Sequence, residues 1–136
     1  MNRVPSILIL DDDDDDLLVL KALFQEIGFS GRLHLHHTPE KFLAEMNEWR
    51  LPDYPSLIVL DYNMPHHNGL EILEQIKSNP FLQMIPVLVF CTNAEAVRER
   101  ALQAGALMCL QKATDIDKLK NQVTYFVELI TEDTTA

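Results

Sequence analysis

No stretch of this chain is long and apolar enough to cross a membrane. Its conspicuous apolar runs, such as Ile7-Leu8-Ile9-Leu10, hold four residues, against the roughly 18–20 that a spanning helix needs. That first run passes straight into acid, with no cleavage site after it, so no secretory leader is expected. Basic residues are also scarce: 11 Lys and Arg stand against 21 Asp and Glu, for a net charge of −10. A surface this acidic repels nucleic acid and anionic membrane and suits cations and basic protein partners. Cysteine is limited to Cys91 and Cys109, whose spacing makes neither a zinc site nor a CxxC redox motif. A reducing, cytoplasmic compartment is the expectation. An EF-hand is excluded as well, because no register of the aspartate run supplies both the central glycine and the final glutamate. There is no internal repeat and no linker; Asp11 to Asp16 is the one low-complexity stretch.

What is present fits one globular domain. A chain of 136 residues can bury a single core, so one domain is expected over 1–136, with an ordered core from about 5 to 131. Continuous apolar runs at Ile7–Leu10, Leu57–Leu60, Val87–Phe90 and Leu107–Leu110 suit strands buried on both faces. Arg32 to His36 is a weaker fifth candidate. Helical patterns separate them. The first runs from Leu17 through Leu18, Leu20, Leu23 and Phe24 to Ile27 and stops at Gly28. Thr38 and Pro39 suit the cap and first position of a second, with Leu43 and Met46 facing inward. Asn68-Gly69 opens a third, carrying Leu70, Ile72, Leu73 and Ile76. Thr92 or Asn93 caps a fourth that ends at Gly105. Thr114 or Asp115 caps a fifth, with Ile116, Leu119, Val123, Phe126, Val127 and Ile130 as its apolar stripe; a polar tail follows Thr131. Strand and helix alternating five times implies a parallel sheet covered on both faces.

In such sheets ligands bind at the carboxyl ends of the strands, near a switch in strand order. Asp11 and Asp12 follow the first run, Asp61 ends the third, Cys91 and Thr92 follow the fourth, and Lys112 lies just past the fifth. All would fall on one edge. Clustered carboxylates repel one another and attract a divalent cation, and Mg2+ is typically held by carboxylates, water and phosphate oxygen. A carboxylate beside a bound metal can attack phosphorus to form an acyl phosphate. Metal and lysine then neutralise the transferring group. In isolation an aspartate run is more often a solvated charge patch. Its position after a buried strand singles out Asp11 and Asp12, and leaves Asp13 to Asp16 as carboxylates favoured at a helix N-terminus.

The stretch Leu57-Ile58-Val59-Leu60-Asp61-Tyr62-Asn63-Met64-Pro65-His66-His67-Asn68-Gly69-Leu70 resembles the phosphorylation-site signature of response-regulator receiver domains in two-component signalling. Ile7 to Asp12 is similar to their first strand and acidic pair, and Ala104-Gly105-Ala106 with Lys112 to their fifth-strand region. The resemblance covers nearly the whole chain. It implies a flavodoxin-like α/β sandwich with a five-stranded parallel sheet of order 2-1-3-4-5 and five helices. It also implies a non-enzymatic module that takes a phosphoryl group onto Asp61 with Mg2+ bound. Asp11, Asp12, Asp61 and the backbone carbonyl of Asn63 would hold the metal, and Lys112 would pair with the phosphoryl group or with Asp61. Pro65 and Gly69 would shape the loop. A histidine kinase or histidine phosphotransfer protein would donate the phosphate, and a downstream protein target would read the result from the fourth helix, fifth strand and fifth helix. A monomer or weak dimer is expected, with no nucleic acid or membrane partner.

Departures from the family pattern fall on its switch. Cys91 stands at the switch Ser/Thr position, with Thr92 one place later, and Cys109 replaces the switch aromatic. Ala113 replaces the usual proline. A thiol is a weak donor, so either Thr92 substitutes or the switch is weakened. Two rivals follow: a protein-binding module that works without phosphorylation, and an aspartyl-nucleophile phosphatase. Phosphatases of that kind carry a second aspartate where this chain has Asn63. The two cysteines would lie on neighbouring strands, as small packed residues or as a redox-sensitive pair. His34 and His36 share a strand face without a third metal ligand; His66 and His67 are read as solvated loop residues.

Overall fold

The computed structural model describes residues 4–50 and 53–132. In chain order its elements are β1 (Ser6–Leu10), α1 (Asp14–Glu26), β2 (Arg32–His36), α2 (Pro39–Met46), β3 (Leu57–Asp61), β4 (Asn63–Met64), β5 (His67–Asn68), α3 (Gly69–Ser78), β6 (Val87–Cys91), α4 (Ala94–Gln103), β7 (Met108–Gln111) and α5 (Ile116–Glu132). Five strands form one parallel sheet in the order β2-β1-β3-β6-β7. Set aside the two-residue hairpin of β4 and β5, and this is the expected 2-1-3-4-5. Among the described residues no helix is long and apolar enough to cross a membrane.

The central runs are unbroken because the sheet is covered twice. Along β1, Ile7 and Ile9 enter one core and Leu8 and Leu10 the other; along β3, Leu57 and Val59 part from Ile58 and Leu60. Alternate side chains of a strand point to opposite faces, so a strand with two buried faces has no polar positions to spare. One core packs α1 and α5 through Leu17, Leu20, Leu23, Phe24, Val123, Phe126 and Ile130. The other packs α2, α3 and α4 through Phe42, Met46, Ile72, Leu73, Ile76, Val97 and Ala101. β2 is an edge strand and is only partly buried, which explains its weaker apolar signal.

Several expectations shift by a residue or a face. β7 spans Met108–Gln111 rather than beginning at Leu107, which precedes the strand and is 50% exposed. Leu18 and Ile116 lie outside their apolar stripes and are exposed. Phe42, fully buried, anchors α2 together with Met46, and Leu43 is only partly buried. Asn93 caps α4, accepting from the Ala96 amide, and Asp115 caps α5, accepting from Asp117 and Lys118. α1 and α4 are each followed by a glycine at positive φ, Gly28 and Gly105, a backbone state that a β-carbon disfavours. The polar tail beyond 132 lies outside the described residues.

Candidate functional site

β1 lies between β2 on one side and β3 on the other, all parallel; the chain steps from β1 outward to β2 and then crosses back to β3, so the switch point lies at the carboxyl ends of β1 and β3. Asp11 and Asp61 stand there. Asp11 extends the β1–β2 ladder by donating its amide to the His36 carbonyl (3.0 Å), and is 1% exposed. Its Oδ1 accepts the Asp13 amide at 3.0 Å. Asp13 in turn caps α1, accepting from Asp15 and Asp16. The aspartate run is thus a strand end, a turn and a helix start in six residues. Asp61 is the last residue of β3, 6% exposed, and its Oδ1 accepts the Asn63 amide at 3.0 Å. Asp11, Asp12 and Asp61 each place a carboxylate oxygen within 4.8 Å of the others.

Lys112 reaches this group from the end of β7. Its amide is fixed to the Cys91 carbonyl (2.7 Å), and its Nζ donates to Asp11 Oδ2 at 2.9 Å and to Asp16 Oδ2 at 3.2 Å. The ammonium also sits 5.5 Å from the Phe90 ring centre. Gly69 lets α3 start against the end of β3: a β-carbon there would lie 2.8 Å from Tyr62 Cα and 3.0 Å from the Asp61 carbonyl oxygen.

Three anions and one cation leave the site short of positive charge. Burial raises the Asp61 carboxyl, Lys112 opposes that and Asp11 adds to it; the result is about 7, against an ordinary 3.8. Burial, then Asp11, also raises Asp12. Burial disfavours the Lys112 ammonium, but Asp61, Asp11 and Asp16 outweigh it and raise its pKa. A carboxyl that holds a proton because its anion is buried and lies beside other anions will exchange that proton for a cation. Hard carboxylate oxygens are the donors that Mg2+, Ca2+ or Mn2+ prefer, so the residues present fit a divalent ion.

The structure therefore brings Asp11, Asp12 and Asp61 into one group, with Lys112 joined to it through Asp11. Thr92 is exposed at the rim; its amide and Oγ1 both donate to Asn63 Oδ1, at 2.8 and 3.2 Å. Cys91 turns elsewhere. Its Sγ lies 3.4 Å from that of Cys109 and 3.5 Å from the Leu110 carbonyl oxygen, and both thiols are buried and free. Burial, then Cys109, pushes the Cys91 thiol up to about 12.

Two contributions escaped the sequence reading. The side chain of Asn63, a residue of which only the main-chain carbonyl was singled out, ties the loop after β3 to Thr92. Asp16, in the first turn of α1, accepts from Lys112, 96 positions away, and no sequence signal marked that contact. Two of the histidines face carboxylates rather than a metal site: His36 Nε2 lies 3.0 Å from Glu45 and His67 Nε2 3.1 Å from Glu40, and burial lowers the His36 pKa. His67 is therefore held against α2 rather than simply solvated. Among the described residues the aspartate group is the only set of three or more candidate metal ligands.

A doubly wound sheet with a carboxylate group at its switch point and a lysine reaching in from β7 defines a receiver-type signalling fold. The family model for the response regulator receiver domain matches residues 7–124, and the chain belongs to that family, whose members are phosphoryl-accepting signalling modules. The chain is 44% identical over 52 residues to response regulator Rcp1 of Synechocystis sp., covering 38% of this chain and 35% of that protein. It is 29% identical over 105 residues to chemotaxis protein CheY-3 of Vibrio cholerae, covering 77% of this chain and 75% of that one. The first four curated relatives are matched over only 35–57% of their own length. The fold closely matches the phosphorylated cyanobacterial phytochrome response regulator RcpA, with a TM-score of 0.84 and 22% identity over 98% of this chain and 97% of that one. The Mn(2+)-bound form of Rcp1 matches with a TM-score of 0.75 and 25% identity, over 88% of each chain.

Proposed function

We propose that this chain is a single receiver domain that accepts a phosphoryl group on Asp61 from the phosphohistidine of a kinase or phosphotransfer protein. Its output is then a protein–protein contact. The observation that carries the reading is the group Asp11, Asp12 and Asp61 within 4.8 Å, with Lys112 bonded to it at 2.9 Å. Asp11, Asp12, Asp61 and the main-chain carbonyl of Asn63 would hold Mg2+, which when bound offsets the charge on the carboxylates and on the incoming phosphoryl group. An Asp61 oxygen attacks phosphorus, the phosphorus–nitrogen bond breaks, and its electron pair leaves on the imidazole, which takes up a proton. Lys112, already within the field of Asp61, balances the added charge. The Thr92 hydroxyl, which at rest donates to Asn63 Oδ1, turns from it to donate to the new phosphoryl oxygen in place of the Cys91 thiol, the Thr92 amide keeping the bond to Asn63. The added charge then biases the face formed by α4, β7 and α5 toward its target.

Asn63 weighs against a phosphatase, since its side-chain oxygen is committed to Thr92 at 2.8 and 3.2 Å. The second reading, a binding module indifferent to phosphate, is favoured by one observation: the two switch positions hold thiols that contact each other. The test is intact mass after incubation with acetyl phosphate and Mg2+. One phosphoryl adduct, absent from Asp61→Asn and from a metal-free sample, supports phosphoacceptance. No adduct from acetyl phosphate or from phosphorylated histidine proteins moves the assignment to the second reading.

A further inference from the structure

Asp16 is an unusual neighbour for the site. It belongs to α1, its side chain is 44% exposed, and it lies outside the group of three clustered carboxylates. Yet its Oδ2 accepts from Lys112 Nζ at 3.2 Å, alongside Asp11 at 2.9 Å. Among the described residues the ammonium makes no hydrogen bond to Asp61, although Asp61 is the strongest charge acting on it. The same two residues, Asp16 and Lys112, line a cleft between α1 and α5 with Val19, Ala113 and Ile116. The lysine is thus drawn toward the α1 side of the site.

We infer that Asp16 is a positioning residue that holds Lys112 in a resting place and competes with the phosphoryl group on Asp61 for its ammonium. The inference rests on the phosphoacceptor reading above. An ammonium has three donors on one charge, so a dianion arriving on Asp61 draws it from the weaker of its two partners. Asp11 is buried and its bond is short; Asp16 is half-exposed and its bond is longer. The pair that yields is Lys112–Asp16. The resting pair therefore lowers the affinity of the site for a phosphoryl group, and Asp16 also repels that group directly.

Exposed or half-exposed pairs of this kind shift an equilibrium by about two- to five-fold. The test uses the full chain with Mg2+ and beryllofluoride as the phosphoryl probe, its affinity read by calorimetry and its seating on the protein by fluorine NMR. Four proteins are compared: native, Asp16→Asn, Asp16→Glu and Asp15→Asn. The last removes the same charge from an exposed neighbour and reports the general electrostatic effect. A thermal melt of each confirms folding.

The expected result is two- to five-fold tighter binding to Asp16→Asn than to Asp15→Asn, with Asp16→Glu near native. Equal affinities for the two asparagine variants would overturn the inference and leave phosphoacceptance standing, because the native protein would still bind. Failure of the native protein to bind beryllofluoride with Mg2+ would instead overturn the phosphoacceptor reading, and this inference with it.

Discussion

Removing the charge at the centre of the site should stabilise the fold. A carboxyl raised from 3.8 to about 7 costs the folded state up to about 4 kcal/mol once ionised, at about 1.4 kcal/mol for each tenfold change in proton affinity. Asp61→Asn keeps the shape and deletes the charge, so without metal at pH 8 it should raise unfolding stability by about 2–4 kcal/mol, the attraction to Lys112 being already contained in the shift. The pH dependence has a definite sign. Because the folded pKa is the higher one, Asp61 favours folding fully below 3.8, and that contribution is lost as pH rises through about 7. The gap between variant and native should therefore be small near pH 4, widen through the range between, and level off above 7. Taking the difference between the two proteins cancels the other titrating groups they share. Urea unfolding in EDTA at several pH values measures it. A variant less stable than native at pH 8, or a gap that does not change with pH, would refute the reasoning.

Divalent metal must displace the proton that Asp61 holds, so Mg2+ affinity measured by calorimetry should strengthen from pH 6 to pH 8 and show proton release in buffers of different ionisation enthalpy. Phe42 is fully buried in the core that packs α2, α3 and α4, with its ring edge-on to His36 and Trp49, and Phe42→Ala should lose about 3–5 kcal/mol by denaturant unfolding. Cys91 and Cys109 are buried and the Cys91 thiol is pushed to about 12. Neither should react with a thiol reagent in the folded protein at pH 8, and both should react once it is unfolded; rapid reaction in the native state would contradict that burial.

Four of the strands were legible because they announce themselves by composition: a run such as Val87–Phe90 has no polar residue to place on either face; the strand order came from the family resemblance, and β2, on the sheet edge, carried a weaker signal. Which face each residue takes was not legible, since an unbroken run carries no phase. Helix stripes were read too broadly where an apolar residue borders the buried arc, as with Leu18 beside Leu17 and Ile116 ahead of Leu119. The start of β7 slipped because Leu107 is apolar yet belongs to the turn after Gly105, its amide bonded to the Val87 carbonyl. At the site, Asp11, Asp12, Asp61 and Lys112 could be placed from strand ends alone. Asn63 with Thr92, 29 positions apart, and Asp16 with Lys112, 96 apart, depend on how loops meet, which periodicity does not encode.

The central claim is an acyl phosphate on Asp61, and reductive trapping tests it most directly. Borohydride converts an aspartyl phosphate to homoserine, which peptide mass spectrometry can place by residue. After phosphorylation with Mg2+, the account predicts homoserine at position 61 and at no other aspartate, including Asp11 and Asp12. Homoserine elsewhere in the acidic group, or phosphate recovered on a histidine such as His66 or His67, would contradict it.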